Sequence, residues 1–149
     1  MKAIADSWKR EPFTTGLAIS YKERFSEVEY IKLQEGLIPR AMEDKWFVYF
    51  DEPYLFFHRS WTGKPVYRVR LSAHADGATV TEALCVSDVL ELTGAAYQVR
   101  LLDFLISNLL LGKAKPFPLP DGLVEPAKGV LQHAISGTGY PQALPERRG

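Results

Sequence analysis

Cysteine is almost absent from this chain of 149 residues, which contains only Cys85. One cysteine cannot form an intramolecular disulfide or a cysteine-rich metal cluster, so we expect a reduced, cytoplasmic protein. An excess of one charge is lacking as well, because 18 basic residues offset 18 acidic residues. Proteins that bind nucleic acid non-specifically usually carry a basic excess, so this balance disfavours a nucleic-acid partner.

Long hydrophobic runs are also missing. The most apolar stretch, 99–111, contains Arg100 and Asp103 and is too short to span a bilayer. The chain reaches Asp6 without the apolar run that a secretory signal requires. With 46% hydrophobic and 24% charged residues, the composition is typical of a globular protein without a membrane partner. The length suits a single domain over 1–149.

The signatures of common cofactor and catalytic sites are not present. The sequence has no P-loop, no G-x-G-x-x-G dinucleotide fingerprint, no H-E-x-x-H and no G-x-S-x-G elbow. Its three histidines, His58, His74 and His133, fall in separate predicted elements, which disfavours a zinc site. We therefore expect no cofactor and no metal site.

The first strong structural signal is a helix start. Residues 1–24 have no sustained periodicity and are expected to form an irregular lead-in. Ser26 and Glu29 then have the spacing of a capping box, and Gly36 is a natural helix end. The sequence therefore predicts a first helix over 26–36, although a strand would also fit the alternation around Val28 and Tyr30.

Four runs rich in aromatic and β-branched residues follow, over 45–50, 54–59, 66–71 and 79–86. The short turns between them favour an antiparallel meander. A leucine-rich helix is predicted from 93–94 to 111, followed by a short helix over 127–136 and a flexible tail over 137–149. The predicted fold class is α+β: a small antiparallel sheet of about four strands, with the buried Leu-rich helix packed on one face.

The alternation of side chains assigns two faces to the central hairpin. If 60–64 forms the turn, Arg59 lies opposite Pro65, Phe57 opposite Tyr67 and Leu55 opposite Val69. The first face then carries apolar residues that pack under the Leu-rich helix, with one arginine at the rim: Leu55, Phe57, Tyr67, Val69, Leu71 and Arg59. The second face carries a mixture of aromatic, basic and other residues: Tyr54, Phe56, His58, Val66, Arg68 and Arg70.

The second face is the candidate functional surface. Arginine side chains stack on aromatic rings and pair with carboxylate or phosphate groups. We therefore predict a ligand-binding surface of aromatic and arginine side chains: Trp46, Phe56, Arg59, Trp61, Arg68 and Arg70. The alternative is that the first helix covers this face and that Glu29, Glu43 or Asp44 neutralises the arginines. Trp61, at the hairpin tip, either packs back on the domain or contacts a partner.

Two strings in this region resemble a known signature. Met42-Glu43-Asp44-Lys45-Trp46-Phe47-x-Tyr49 and Phe57-His58-Arg59-Ser60-Trp61-Thr62-Gly63 are similar to the signature of a group of small bacterial proteins of uncharacterised function. The similarity covers about 37–71. The resemblance implies no activity, but it points to the same hairpin and the strand before it.

The sequence leaves two functions open. The first is a binding or interaction module, whose partner is a protein, an anionic small molecule or a second copy joined at a sheet edge. The second is a small enzyme acting on a phosphorylated or nucleotide-like substrate. In that enzyme the arginines would hold the anion, His58 would act as acid or base, and Glu43 or Asp44 would orient it.

Overall fold

A computed structural model of the chain describes residues 2–41 and 43–118, and these form helices and one antiparallel sheet. The predicted α+β class is therefore confirmed. The helix expected over 127–136 and the tail expected over 137–149 lie outside the described residues. The strands are β1 (Leu17–Ala18), β2 (Arg24–Ser26), β3 (Trp46–Asp51), β4 (Tyr54–Arg59), β5 (Pro65–His74) and β6 (Gly77–Cys85). The helices are α1 (Glu27–Glu35), α2 (Ser87–Thr93) and α3 (Ala95–Phe104), which continues as a π-helical segment over Leu105–Leu110; a 3₁₀ turn covers Ala5–Ser7.

The capping box sets the start of α1. The Glu29 backbone N–H donates to Ser26 Oγ at 3.2 Å, and the Ser26 backbone N–H donates to Glu29 Oε1 at 3.0 Å. Two backbone donors that the helix itself leaves unpaired are thereby satisfied. Gly36 follows the last helical residue, and its N–H donates to the Leu33 carbonyl. The helix predicted over 26–36 is therefore confirmed, and the competing strand is excluded.

The sheet has six strands in the described part of the chain, so the expected number of about four is wrong. The predicted meander corresponds to β3, β4, β5 and β6, which are neighbours in the order β6-β5-β4-β3. The strands β1 and β2 extend this sheet by pairing with opposite ends of the outer edge of β6. They contain two and three residues, too few for an alternating pattern to be recognised in the sequence.

A β-bulge changes the register of the β4–β5 hairpin. Leu55 pairs with Val69 and Phe57 with Tyr67, as predicted, but His58 rather than Arg59 lies opposite Pro65. Val66 is therefore an additional residue on β5, and a bulge of this kind redirects one side chain of the strand. Val66 is buried in the main core instead of lying on the second face, where the alternation placed it.

The main core lies on the first face of the sheet. The predicted apolar set of the β4–β5 hairpin is buried there, together with Leu33 of α1. The helical residues in the same core include Leu101, Leu102, Leu105 and Ile106, and each fully buried leucine or isoleucine contributes about 1.5–3 kcal/mol. The leucine-rich helix expected from 93–94 to 111 corresponds to α3 and the π-helical segment that continues it, over 95–110. The helix α2 precedes it, is separated from it by Gly94 and was not predicted.

The N-terminal segment covers the second face of the sheet. Ala3 is buried against Phe47 and Tyr49 in a small second core. Further along the segment, the guanidinium of Arg10 lies 5.6 Å from the centre of the Tyr49 ring. The first helix therefore does not cover this face, because Leu33 directs α1 into the main core. Within the described ranges, no helix has the length and apolar character needed to cross a membrane.

The close approach of β2 to β6 requires glycine at position 77. Gly77 has a φ of +147°, and a Cβ atom there would lie 1.8 Å from the Phe25 carbonyl oxygen. We expect Gly77→Ala to lower the free energy of unfolding by at least about 2 kcal/mol, because strain and a backbone clash act together. Gly94→Ala is the matched control, since Gly94 has a φ of +88° and nothing within 4 Å of the added atom. Urea unfolding of both variants measures the difference, and equal losses would contradict this explanation.

Candidate functional site

The six residues predicted to bind a ligand do not form one surface. Phe56, Arg68 and Arg70 lie on the second face, because they occupy the strand positions between the buried core residues. Trp46 pairs with Arg59 across β3 and β4 and is buried in the main core. The expectation that Trp46 shares a face with Phe56 is therefore wrong. The turn between Asp51 and Tyr54 could have shown this, since counting alternate positions back from Phe50 places Trp46 on the core side.

The arginines of the second face are already engaged or lie in solvent. The Arg68 guanidinium forms an ion pair with Glu82 at 3.3 Å. It also lies 4.3 Å from the centre of the Tyr54 ring and 5.4 Å from that of Phe13. The carboxylate beside Arg68 thus comes from β6 and not from Glu29, Glu43 or Asp44. Arg70 is exposed. The second face therefore has fewer unengaged arginine groups for binding an anion than the sequence predicted.

His58 has a structural position beneath the hairpin turn. Its ring is fully buried, and Nδ1 lies 3.0 Å from the Gly63 carbonyl oxygen. The ring stacks on Tyr49 with centroids 5.8 Å apart. Burial lowers the pKa of His58 below its ordinary value, so the neutral ring is favoured, with Nδ1–H donating to Gly63. Nε2 is buried and has no hydrogen-bond partner in the described part of the chain.

The two carboxylates proposed to assist His58 lie elsewhere. Glu43 is exposed, and the Asp44 carboxylate accepts a hydrogen bond from the Arg40 backbone N–H at 3.2 Å. Over residues 2–41 and 43–118, neither carboxylate forms a hydrogen bond or an ion pair with His58. An acid–base pair needs hydrogen-bond reach. The geometry therefore gives no support to catalysis by these three residues.

Trp46 and Arg59 instead line a cavity of about 310 Å³ beside the main core. The cavity lies between the sheet and the pair of helices α2 and α3. Its walls are mainly apolar, with a few polar groups, and the lining residues are Trp46, Arg59, Val66, Tyr67, Val89, Leu92, Thr93, Gln98 and Leu101. A largely apolar cavity with few converging polar groups is the usual form of a small-molecule site.

Arg59 is the only side chain with a formal charge among the described residues that line this cavity. Its guanidinium lies 5.0 Å from the centre of the Trp46 ring. Burial lowers the pKa of Arg59 from its ordinary value, but a guanidinium remains charged under physiological conditions. A positive charge with reduced hydration interacts more strongly with an anion than an exposed one does.

A chain of hydrogen bonds forms the polar part of the opposite wall. The Tyr67 hydroxyl donates to Gln98 Oε1, and Gln98 Nε2 donates to Thr93 Oγ1 at 2.6 Å. Burial raises the pKa of Tyr67 well above its ordinary value, so its hydroxyl stays protonated and acts as the donor. These bonds connect β5 to both helices, and they fix the shape of the cavity without a ligand.

Sequence reasoning missed the helical side of this cavity. Val89 and Thr93 were not among the candidate residues, because α2 was not predicted. Gln98 lies within the predicted Leu-rich helix, which was assigned to the core rather than to a site. The signal was weak but present: Val89, Leu90 and Thr93 have helical spacing, and Gly94 follows as a helix end. Seven residues are too few for a reliable periodicity.

The buried neutral state of His58 predicts a pH dependence of stability. The unfolded chain protonates His58 near its ordinary pKa of about 6.5, whereas the folded chain protonates it only at lower pH. The contribution of the neutral ring to the free energy of unfolding is therefore complete above pH 6.5. It falls as the pH drops towards the folded-state pKa, by at most about 1.4 kcal/mol per pH unit.

Urea unfolding at a series of pH values from about 7.5 to 5 measures this slope. His58→Asn should have a smaller slope than the unmodified chain, since an amide does not titrate but can still donate to Gly63. A variant with an unchanged slope would show that other groups cause the pH dependence.

No protein-family model matches the chain, and neither the curated proteins nor the solved structures contain a significant match to it.

Proposed function

We propose that this protein is a binding domain whose cavity beside α2 and α3 takes a small organic anion with an apolar body. The observation that carries the proposal is the position of Arg59, a partly buried cation stacked on Trp46 in a mainly apolar cavity. The anionic group pairs with Arg59, and the apolar body contacts residues such as Val66 and Leu101. A carboxylate is the simplest group that meets both requirements.

The size of the cavity supports a small ligand. At about 310 Å³ it lies at the lower end of the range of ligand pockets in proteins. A nucleotide needs several polar groups for its base, sugar and phosphates, whereas the lining offers one cation and three neutral polar side chains: Tyr67, Thr93 and Gln98. Small aliphatic or aromatic carboxylates therefore fit the lining better than nucleotide-like molecules do.

Binding rather than catalysis is the function that this chemistry supports. The lining contains no carboxylate, histidine or cysteine among the described residues. The Tyr67 hydroxyl is committed as a donor to Gln98, so it is not available as a base. A site with a cation, an aromatic floor and no group that can exchange a proton near neutral pH recognises an anion without transforming it.

The first test is a thermal-shift screen with aliphatic carboxylates, aromatic carboxylates, sugar phosphates and nucleotides. A carboxylate at 100 times its Kd should raise the free energy of unfolding by about 2.7 kcal/mol. Arg59→Gln should weaken its binding by roughly 10- to 100-fold, because a charged hydrogen bond contributes about 1.5–3 kcal/mol. Arg70→Gln removes an exposed charge on the second face and should bind as the unmodified chain does.

A second pair of variants tests the cavity without altering Arg59. Leu92 lines the cavity but is 83% exposed, so it accepts a charge without loss of folding. We expect Leu92→Glu to weaken carboxylate binding and Leu92→Lys to strengthen it, each about several-fold and less at high salt. Thermal shifts with phosphates but not with carboxylates would contradict the proposed ligand. A loss of carboxylate binding in Arg70→Gln but not in Arg59→Gln would contradict the proposed site.

A further inference from the structure

A second cleft lies on the other side of the β4–β5 turn and is bordered by two tryptophans. It has a volume of about 490 Å³ and lies between the N-terminal segment, the segment before β3 and the hairpin turn. The lining residues are Trp8, Lys9, Pro39, Arg40, Ala41, Ser60 and Trp61. Only Trp61 belongs to the candidate residues selected from the sequence, and the cleft shares no residue with the cavity that contains Arg59.

The two indoles are unusually exposed for such large apolar side chains. Trp61 is 54% exposed and Trp8 is 37% exposed. Large aromatic side chains that remain in water at the edge of a cleft are typical of protein-binding surfaces, where they contribute most of the binding energy. Trp61 therefore does not pack back fully on the domain, which was one of the two possibilities for a tryptophan at the hairpin tip.

The cleft is held in shape before any partner binds. The Trp8 indole N–H donates to the Ser60 carbonyl at 2.7 Å, and the Glu11 backbone N–H donates to the Gly63 carbonyl at 2.7 Å. The Ser60 hydroxyl donates to the Asp44 carbonyl at 2.9 Å. These hydrogen bonds join the N-terminal segment and the segment before β3 to the turn between β4 and β5. A surface that is already ordered loses little conformational entropy when it binds.

The charged side chains that line the cleft are positive. Lys9 and Arg40 line it, and no carboxylate does so among the described residues. The ammonium group of Lys45 lies 4.7 Å from the centre of the Trp61 ring. The nearby Asp44 carboxylate accepts a hydrogen bond from the Arg40 backbone N–H, so it is already engaged. The complementary partner is therefore negatively charged and carries apolar groups for the indoles.

We propose that this cleft binds an acidic segment of a partner protein that contains at least one apolar or aromatic side chain. Acidic side chains of the partner pair with Lys9, Arg40 and Lys45, and its apolar side chain inserts between Trp8 and Trp61. The proposal does not depend on the anion-binding cavity.

A peptide fits the cleft better than single-stranded nucleic acid. Bases stack on open aromatic faces, whereas one face of Trp61 is covered by the Lys45 ammonium and the Trp8 ring is held in place through its N–H. Nucleic-acid binding also relies on many phosphate contacts from a basic protein, and this chain has a net charge of zero. A single short acidic segment requires only the few cations that are present.

Fluorescence anisotropy with labelled short peptides tests the proposal. The probes are peptides of alternating glutamate with leucine, phenylalanine or proline, a lysine–leucine peptide of the same length, and oligo-dT. At least one glutamate peptide should bind, with an affinity that falls as salt is added, and the lysine–leucine peptide should not. Trp61→Ala and Arg40→Glu should each weaken binding by about tenfold or more, whereas Trp61→Phe should retain most of it.

Lys32→Glu on α1 is the charge-matched control, because Lys32 is exposed and lies outside the cleft. The affinity of the Lys32→Glu variant for the glutamate peptide should differ by less than about twofold from that of the unmodified chain. Circular dichroism confirms that all variants are folded. The proposal is overturned if no glutamate peptide binds, if oligo-dT binds more tightly than the glutamate peptides, or if Trp61→Ala and Arg40→Glu bind as well as the control.

Discussion

The bulge in the β4–β5 hairpin is the constraint on which the cavity beside α2 and α3 depends. Side chains alternate along β4, so Phe57 enters the main core, His58 lies on the second face and Arg59 returns to the core side. On β5 the additional residue Val66 is directed into the main core next to Tyr67, and both then line the cavity. A regular hairpin would leave Val66 on the opposite face, and the cavity would lose part of its apolar wall.

The same short stretch of chain contributes a residue to each of the two sites that we propose. Arg59 contributes a partly buried charge to a mainly apolar cavity, and burial strengthens the attraction between a charge and an ion of opposite sign. Two residues later, Trp61 projects from the turn into solvent beside Lys45. His58 precedes both residues in the chain and holds the turn through Gly63. The buried histidine lines neither the cavity nor the cleft, and its contact is with the turn that carries Trp61.

Much of the central hairpin could be predicted, because strand alternation relates each residue to a face once the turns are recognised. The pairs Leu55–Val69 and Phe57–Tyr67 followed from this reasoning, as did the capped start of α1. The predicted ligand surface was less successful. Of its six residues, Trp46 and Arg59 lie in the cavity, Trp61 borders the cleft, and the other three remain on the second face. Short elements such as β1, β2 and α2 have too few residues to establish a period.

The sequence by itself determined the α+β class, the meander and the separation of apolar from polar faces, because these depend on local periodicity and turn chemistry. Only the tertiary structure decided which residues line the cavity and the cleft. The cavity requires α2 and α3 to pack beside Arg59, and the cleft requires Trp8 to reach Ser60, 52 positions further along the chain. Contacts between residues so distant in sequence arise from the packing of whole elements, which no local pattern encodes.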